Sequence, residues 1–115
     1  MIEQQDTKRF QIQRGNDLLR QTLHPFLGKV ILTRKVAEHP NRDVILDSVK
    51  SFKDFCISND PYNEHDFAFF EVTTDGKSEK FCFKIDYYDL SYEWGADPHI
   101  SPFKRLITIM HASDY

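Results

Sequence analysis

The chain of 115 residues contains no run of about 18 apolar residues, the length needed to span a bilayer as a helix. Glu3, Asp6, Lys8 and Arg9 interrupt the early stretch where a signal peptide needs continuous apolar sequence. A cytoplasmic protein without a membrane partner is therefore expected. Cysteine is scarce. Cys56 and Cys82 stand far apart, each between apolar neighbours and without CxxC spacing, which reads as two buried thiols and excludes a disulfide framework or a paired-cysteine zinc site. Only four glycines occur, scattered, so no glycine-rich loop cradles a phosphate. GxSxG and HExxH are also missing, and with them the commonest signatures of a serine hydrolase and a zinc protease.

Large side chains are abundant: ten phenylalanines, five tyrosines and one tryptophan supply enough apolar volume for one core in a chain too short for two. A single domain over residues 1–115 follows. The net charge of −3 hides a strong asymmetry. Residues 1–53 hold ten Lys/Arg against six Asp/Glu, residues 54–97 hold three against eleven, and residues 98–115 hold two against one. An acidic middle segment repels phosphates, so direct nucleic-acid binding there is not expected.

Residues 1–7 are polar and expected to fray. Ile12, Leu19 and Leu23, joined by Leu18 and Phe26, share one side at helical spacing and predict a helix over residues 8–23, ended by His24-Pro25. Gly15 weakens that helix, and Asn16 offers an alternative cap for a shorter one. The β-branched run 29–36 predicts a strand. Asn41 as N-cap and the stripe Val44, Ile45, Val49, Phe52, Phe55 and Cys56 predict a helix over 42–56. Residues 66–73 and 79–87 read as strands joined at Asp75-Gly76, the strongest hairpin signal in the chain. Residues 89–103 read as a loop, and 105–112 as a last strand buried on both faces. The expected architecture is α+β: a four-stranded, mostly antiparallel sheet with two helices packed on one face, in the order α-β-α-β-β-β.

Asn16-Asp17, Leu32-Thr33, the run Asn59-Asp60-Pro61-Tyr62 followed by Glu64-His65-Asp66-Phe67, the run Lys84-Ile85-Asp86-Tyr87-Tyr88-Asp89, and Leu106-Ile107-Thr108-Ile109-Met110 together resemble a bacterial domain-of-unknown-function family, the type numbered 3768. The resemblance covers nearly the whole chain and implies a small stand-alone protein of bacteria and their mobile elements. It implies no activity that transfers residue by residue. Members have a glycine after the Glu-His-Asp-Phe run where this chain has Ala68.

The hairpin should bring the two acidic motifs to one end. His65, Asp66, Asp86 and Asp89, with Asp60 and Glu64 in reserve, then offer one imidazole and several carboxylates to a divalent metal such as zinc or manganese. The plainer alternative is that Asn59 and Asp60 hold the turn through backbone hydrogen bonds while His65 pairs with a neighbouring acid. Glu64 or Asp86 as a general base beside His65 is the catalytic alternative, and a metal-dependent hydrolase built on His65, Asp66, Asp86 and Asp89 is the alternative to a binding function. His24, His39, His99 and His111 stand isolated in sequence, the last as a core-edge residue.

Tyr62, Glu64, Asp86, Tyr88, Asp89 and Trp94 form the third constellation, rigid aromatic contact surface ringed by carboxylates. Such a surface suits a protein partner with a basic groove, in the first place a nucleic-acid-binding effector. The expected function is binding, and the resemblance to a family of bacteria and their mobile elements implies inhibition of a bacterial defence system, of anti-CRISPR or anti-restriction type, with a structural metal and a homodimer both compatible.

Overall fold

The computed structural model describes residues 2–115, with side chains described from Thr7 onward. Helix α1 (Ile2–Thr22) buries Ile12, Asn16, Leu19 and Arg20, the i, i+4, i+7, i+8 stripe of one helix face. It includes residues 2–7, where fraying is expected, and it continues through Asn16 rather than starting there. Leu23 ends it with φ 51° and an N–H to the Leu19 carbonyl at 2.7 Å. Leu18 and Phe26 point to solvent, at 49% and 93% exposure, and so leave the stripe the spacing assigns them to.

Strand β1 (Lys29–Leu32) is half the expected length, because Arg34–Ala37 forms a short helix, α2. Alternation supplies the reason. Val30 and Leu32 face the core, so a continued strand would bury Arg34; one helical turn leaves Arg34 in solvent and still delivers Val36 to the core.

Helix α3 (Arg42–Ser51) stops five residues short of the expected end, and the Asn41 side chain bonds Thr74 Oγ1 at 2.9 Å instead of capping it. Arg20 Nη1 takes the carbonyls of Val49 and Phe52 at 2.8 and 2.7 Å, satisfying groups that the helix end leaves free. Phe52 and Phe55 still pack on the core, from extended chain, but Cys56 is exposed and only Cys82 is a buried thiol.

Strands β2 (Phe67–Thr74), β3 (Lys77–Tyr88) and β4 (Lys104–His111) follow, ending in a 3-10 turn at Ala112–Asp114. The hairpin forms at Asp75-Gly76, both with positive φ. The sheet order is β1-β4-β3-β2, with β1 parallel to β4 and the other two pairings antiparallel. Ala68, Val72, Phe81, Phe83, Ile85, Ile107 and Ile109 face the helices and pack with Leu19, Val36, Ile45 and Val49. On the other face Met110 and Cys82 are buried, while Tyr115 meets Phe67 at a tilt and Phe69 edge to face, with 5.0 and 5.7 Å between ring centres. No described helix is long and apolar enough to cross a membrane.

Candidate functional site

The turn before β2 is held from within. Asp60, 7% exposed, accepts the N–H groups of Glu64 and His65 at 3.2 and 3.1 Å, which fixes a turn where Asn63 and His65 both take positive φ. Asn59 accepts the Cys56 N–H and donates to the Asp54 carbonyl. His65 stacks on Phe55 with ring centres 4.0 Å apart and planes 6° from parallel. Its Nδ1 lies 2.9 and 3.0 Å from the two oxygens of Asp17 on α1, and its Nε2 lies 3.8 Å from Asp60. Asp17 also takes Arg20 at 3.0 Å, so two carboxylates and two basic groups close on one another.

A second network lies alongside. Asn16, fully buried, donates through Nδ2 to the Glu64 carbonyl and the Tyr87 hydroxyl and accepts Arg105 Nε at 2.7 Å. Tyr87 in turn donates to Asp66 at 3.2 Å. Burial pushes the Asp66 carboxyl up, Glu64 adds to the rise, and the bond from Tyr87 opposes it. Burial, then the nearby Asp66 charge, raises Tyr87, so its hydroxyl remains a donor. Glu64 is largely covered, its carboxylate 3.0 Å from His99 Nε2.

The hairpin does bring the ends of the two acidic motifs together, since Ile85 N–H meets the Asp66 carbonyl. Strand alternation then separates the proposed metal ligands. Tyr87 projects to the helix side and bonds Asp66; Asp86 projects from the opposite face and pairs with Lys84 at 3.2 Å. Asp89 is engaged in its own turn, accepting Ser91 Oγ and the N–H groups of Glu93 and Trp94. Partial desolvation there is outweighed by those bonds, leaving the Asp89 carboxyl below its ordinary value. His65, Asp66, Asp86 and Asp89 are thus engaged in four separate sets of contacts. Among the described residues no group of three or more His, Cys, Asp or Glu is arranged to hold a metal ion.

The histidines that stand isolated in sequence each find partners. His39 Nε2 and His111 Nε2 both face the Glu79 carboxylate, at 2.8 and 3.5 Å, beside a cleft of about 600 Å³ lined also by Arg34 and Lys35. Both Nδ1 atoms accept backbone N–H groups, from Asn41 and Ser113, so both Nε2 atoms carry the proton. A metal-bound imidazole needs the reverse arrangement, with its second nitrogen donating. The pair instead clasps Glu79, and the bond from His39 holds that carboxyl below its usual range.

On the surface, Asp86, Tyr88 and Asp97 line a cleft of about 480 Å³ with Lys84, Tyr87, Gly95 and Ala96. Asp86 is 38% exposed, and Trp94 and Tyr62 stand in solvent at 72% and 68%. Of the six surface residues the sequence singles out, Glu64 and Asp89 have their carboxylates engaged internally; Asp97 is the cleft acid it passes over. Asn16, Asp17, Arg20, His99 and Arg105 are the further site residues it misses. A signal for three existed, because Asn16 and Arg20 occupy the buried stripe of α1 and Asp17 lies one turn before Arg20.

No curated protein and no solved structure matches this chain. A family described as "Protein of unknown function (DUF3768)" matches residues 32–114, a span that leaves out α1 and with it Asn16, Asp17 and Arg20.

Proposed function

The chain belongs to the DUF3768 family of proteins of unknown function, and from its surface chemistry we propose that it is a small binding protein acting on a basic surface of a protein partner. The observation that carries this reading is the cleft holding Asp86, Asp97 and Tyr88, with Trp94 exposed in the same loop. Two carboxylates beside an aromatic ring suit an arginine side chain, which gains charge attraction and a ring face at once and takes Asp86 over from its half-exposed pair with Lys84. Tryptophan and tyrosine supply rigid contact area at low entropy cost, and the surrounding acids steer a basic partner in and repel nucleic acid. The partner class is a nucleic-acid-binding effector with a Lys/Arg-lined groove. The activity is inhibition of that effector, of anti-CRISPR or anti-restriction type.

The test uses cells with an active CRISPR or restriction system, scored by transformation of a targeted plasmid. Expression of the protein should raise the yield of transformants, and Asp86→Lys with Trp94→Ala should return it to the level of the empty vector. Glu64, Asp89 and Asp97 are left intact in that variant, because reversing them breaks the contacts with His99 and the 89–94 turn. Absence of any rise across representative systems, with the protein present and folded, would sink the inhibitor reading.

A further inference from the structure

Strand β2 is an outer strand of the sheet, and its register with β3 determines which backbone groups are free. The two-residue turn closes on Thr74 and Lys77, and the Ile85 N–H donates to the Asp66 carbonyl at 2.7 Å. Alternate residues from 66 to 74 therefore bond to β3, and the N–H and C=O groups of Phe67, Phe69, Glu71 and Thr73 point away from the sheet. No backbone partner takes them among the described residues. Edges of this length normally carry lysines, prolines or a bulge. β2 has no proline, keeps an unbroken register over its eight residues, and bears one charged side chain, Glu71.

That side chain supplies an independent observation. Glu71 faces Lys80 across the hairpin, yet the two do not pair. Lys80 Nζ instead lies 4.6 Å from the centre of the Phe69 ring, and Glu71 has no hydrogen-bond or ion-pair partner among the described residues.

We propose that β2 pairs antiparallel with β2 of a second copy about a two-fold axis at Phe70, making one continuous eight-stranded sheet. In this register Phe69 stands opposite the partner's Glu71, and Phe67 opposite the partner's Thr73. Every outward group then meets its complement, since an antiparallel edge is its own match under a two-fold. Lys80, already over Phe69, comes beside the partner's Glu71, and two unmatched charges become two cross-strand pairs. Charge also selects the register. An axis at Glu71 would set the two glutamates against each other, and an axis at Phe69 would leave Thr73 beyond the pairing.

Sedimentation equilibrium of the full chain, with hydrogen exchange at several concentrations, tests this. The expected result is a concentration-dependent dimer in which the Phe69 and Glu71 amides become protected as it forms. Glu71→Lys should raise the dissociation constant roughly tenfold by placing like charges together, and Glu71→Lys with Lys80→Glu should restore it. Lys80→Glu alone serves as the second single variant, and circular dichroism confirms that each is folded. A monomer at every concentration up to the solubility limit would overturn the proposal. So would a dimer whose Phe69 and Glu71 amides exchange independently of concentration, or one indifferent to both single charge reversals.

Discussion

His65 Nδ1 and the carboxylate of Asp17 meet at 2.9 and 3.0 Å across 48 residues of chain, joining the turn before β2 to α1. Arg20, 2% exposed, shares the same carboxylate. Asp17→Ala leaves the buried guanidinium with its backbone carbonyls alone and His65 with no partner on α1. We expect a loss of about 2 kcal/mol, at the lower end for a broken buried pair because Asp17 is itself 24% exposed. Asp17→Asn should lose less, since it keeps an acceptor. Urea denaturation measures both, and an unchanged midpoint for Asp17→Ala would mean that the contact contributes nothing.

Gly15 lies where Arg105 crosses α1. A methyl group at this position would overlap the Arg105 guanidinium, which is pinned by Asn16 Oδ1 and the Ile12 carbonyl and lies over the Phe103 ring. Gly15→Ala should therefore destabilise the fold by about 1–2 kcal/mol, although alanine gains about 1 kcal/mol in helix propensity. In an Arg105→Ala background the same substitution should stabilise. Thermal unfolding of the four proteins of that cycle gives the sign directly.

Asp66 sets a dependence on pH. Burial, then the charge of Glu64, raises its carboxyl in the folded state above the unfolded value of 3.8. Its contribution is most favourable below the unfolded value and is lost as pH rises through the folded one. Asp66→Asn removes that loss, so the variant should gain stability relative to wild type at pH 7, and the gain should shrink on acidification toward pH 4. Glu79, held low by His39, acts in the opposite sense: its contribution is present above the unfolded value of 4.5 and falls away as pH drops through the folded one. A difference between wild type and Asp66→Asn that does not change with pH would exclude the assigned role.

The two thiols should separate cleanly. Cys56 is exposed, with Ser58 Oγ at 3.0 Å and the amides of Asn59 and Ser58 lowering its pKa; Cys82 is buried and pushed up to about 11. A thiol reagent at pH 8 should modify one cysteine quickly in the folded protein and the second only on unfolding. Ser58→Ala should slow the fast phase. Two fast thiols would contradict the burial of Cys82.

How much was legible follows the range of the interactions. The hairpin at Asp75-Gly76, the alternation of β3 and the buried pair Ile107 and Ile109 rest on neighbours in sequence, and each forms as the pattern predicts. Elements whose ends depend on groups outside their own pattern are shorter than that pattern predicts. α3 stops where Arg20, from another helix, takes its last carbonyls, and β1 stops where alternation would bury Arg34.

Composition and local period carry the α+β class, the four strands and the acidic middle segment, and the match over residues 32–114 carries the family. What each acid does depends on contacts made in the folded chain. Asp86 and Tyr87 are adjacent in sequence yet project from opposite faces, one into a surface cleft and the other into a buried network with Asn16, 71 residues away. A carboxylate takes its role from desolvation and from the donors within about 3 Å, and in a folded chain those donors come from segments that no sequence spacing joins.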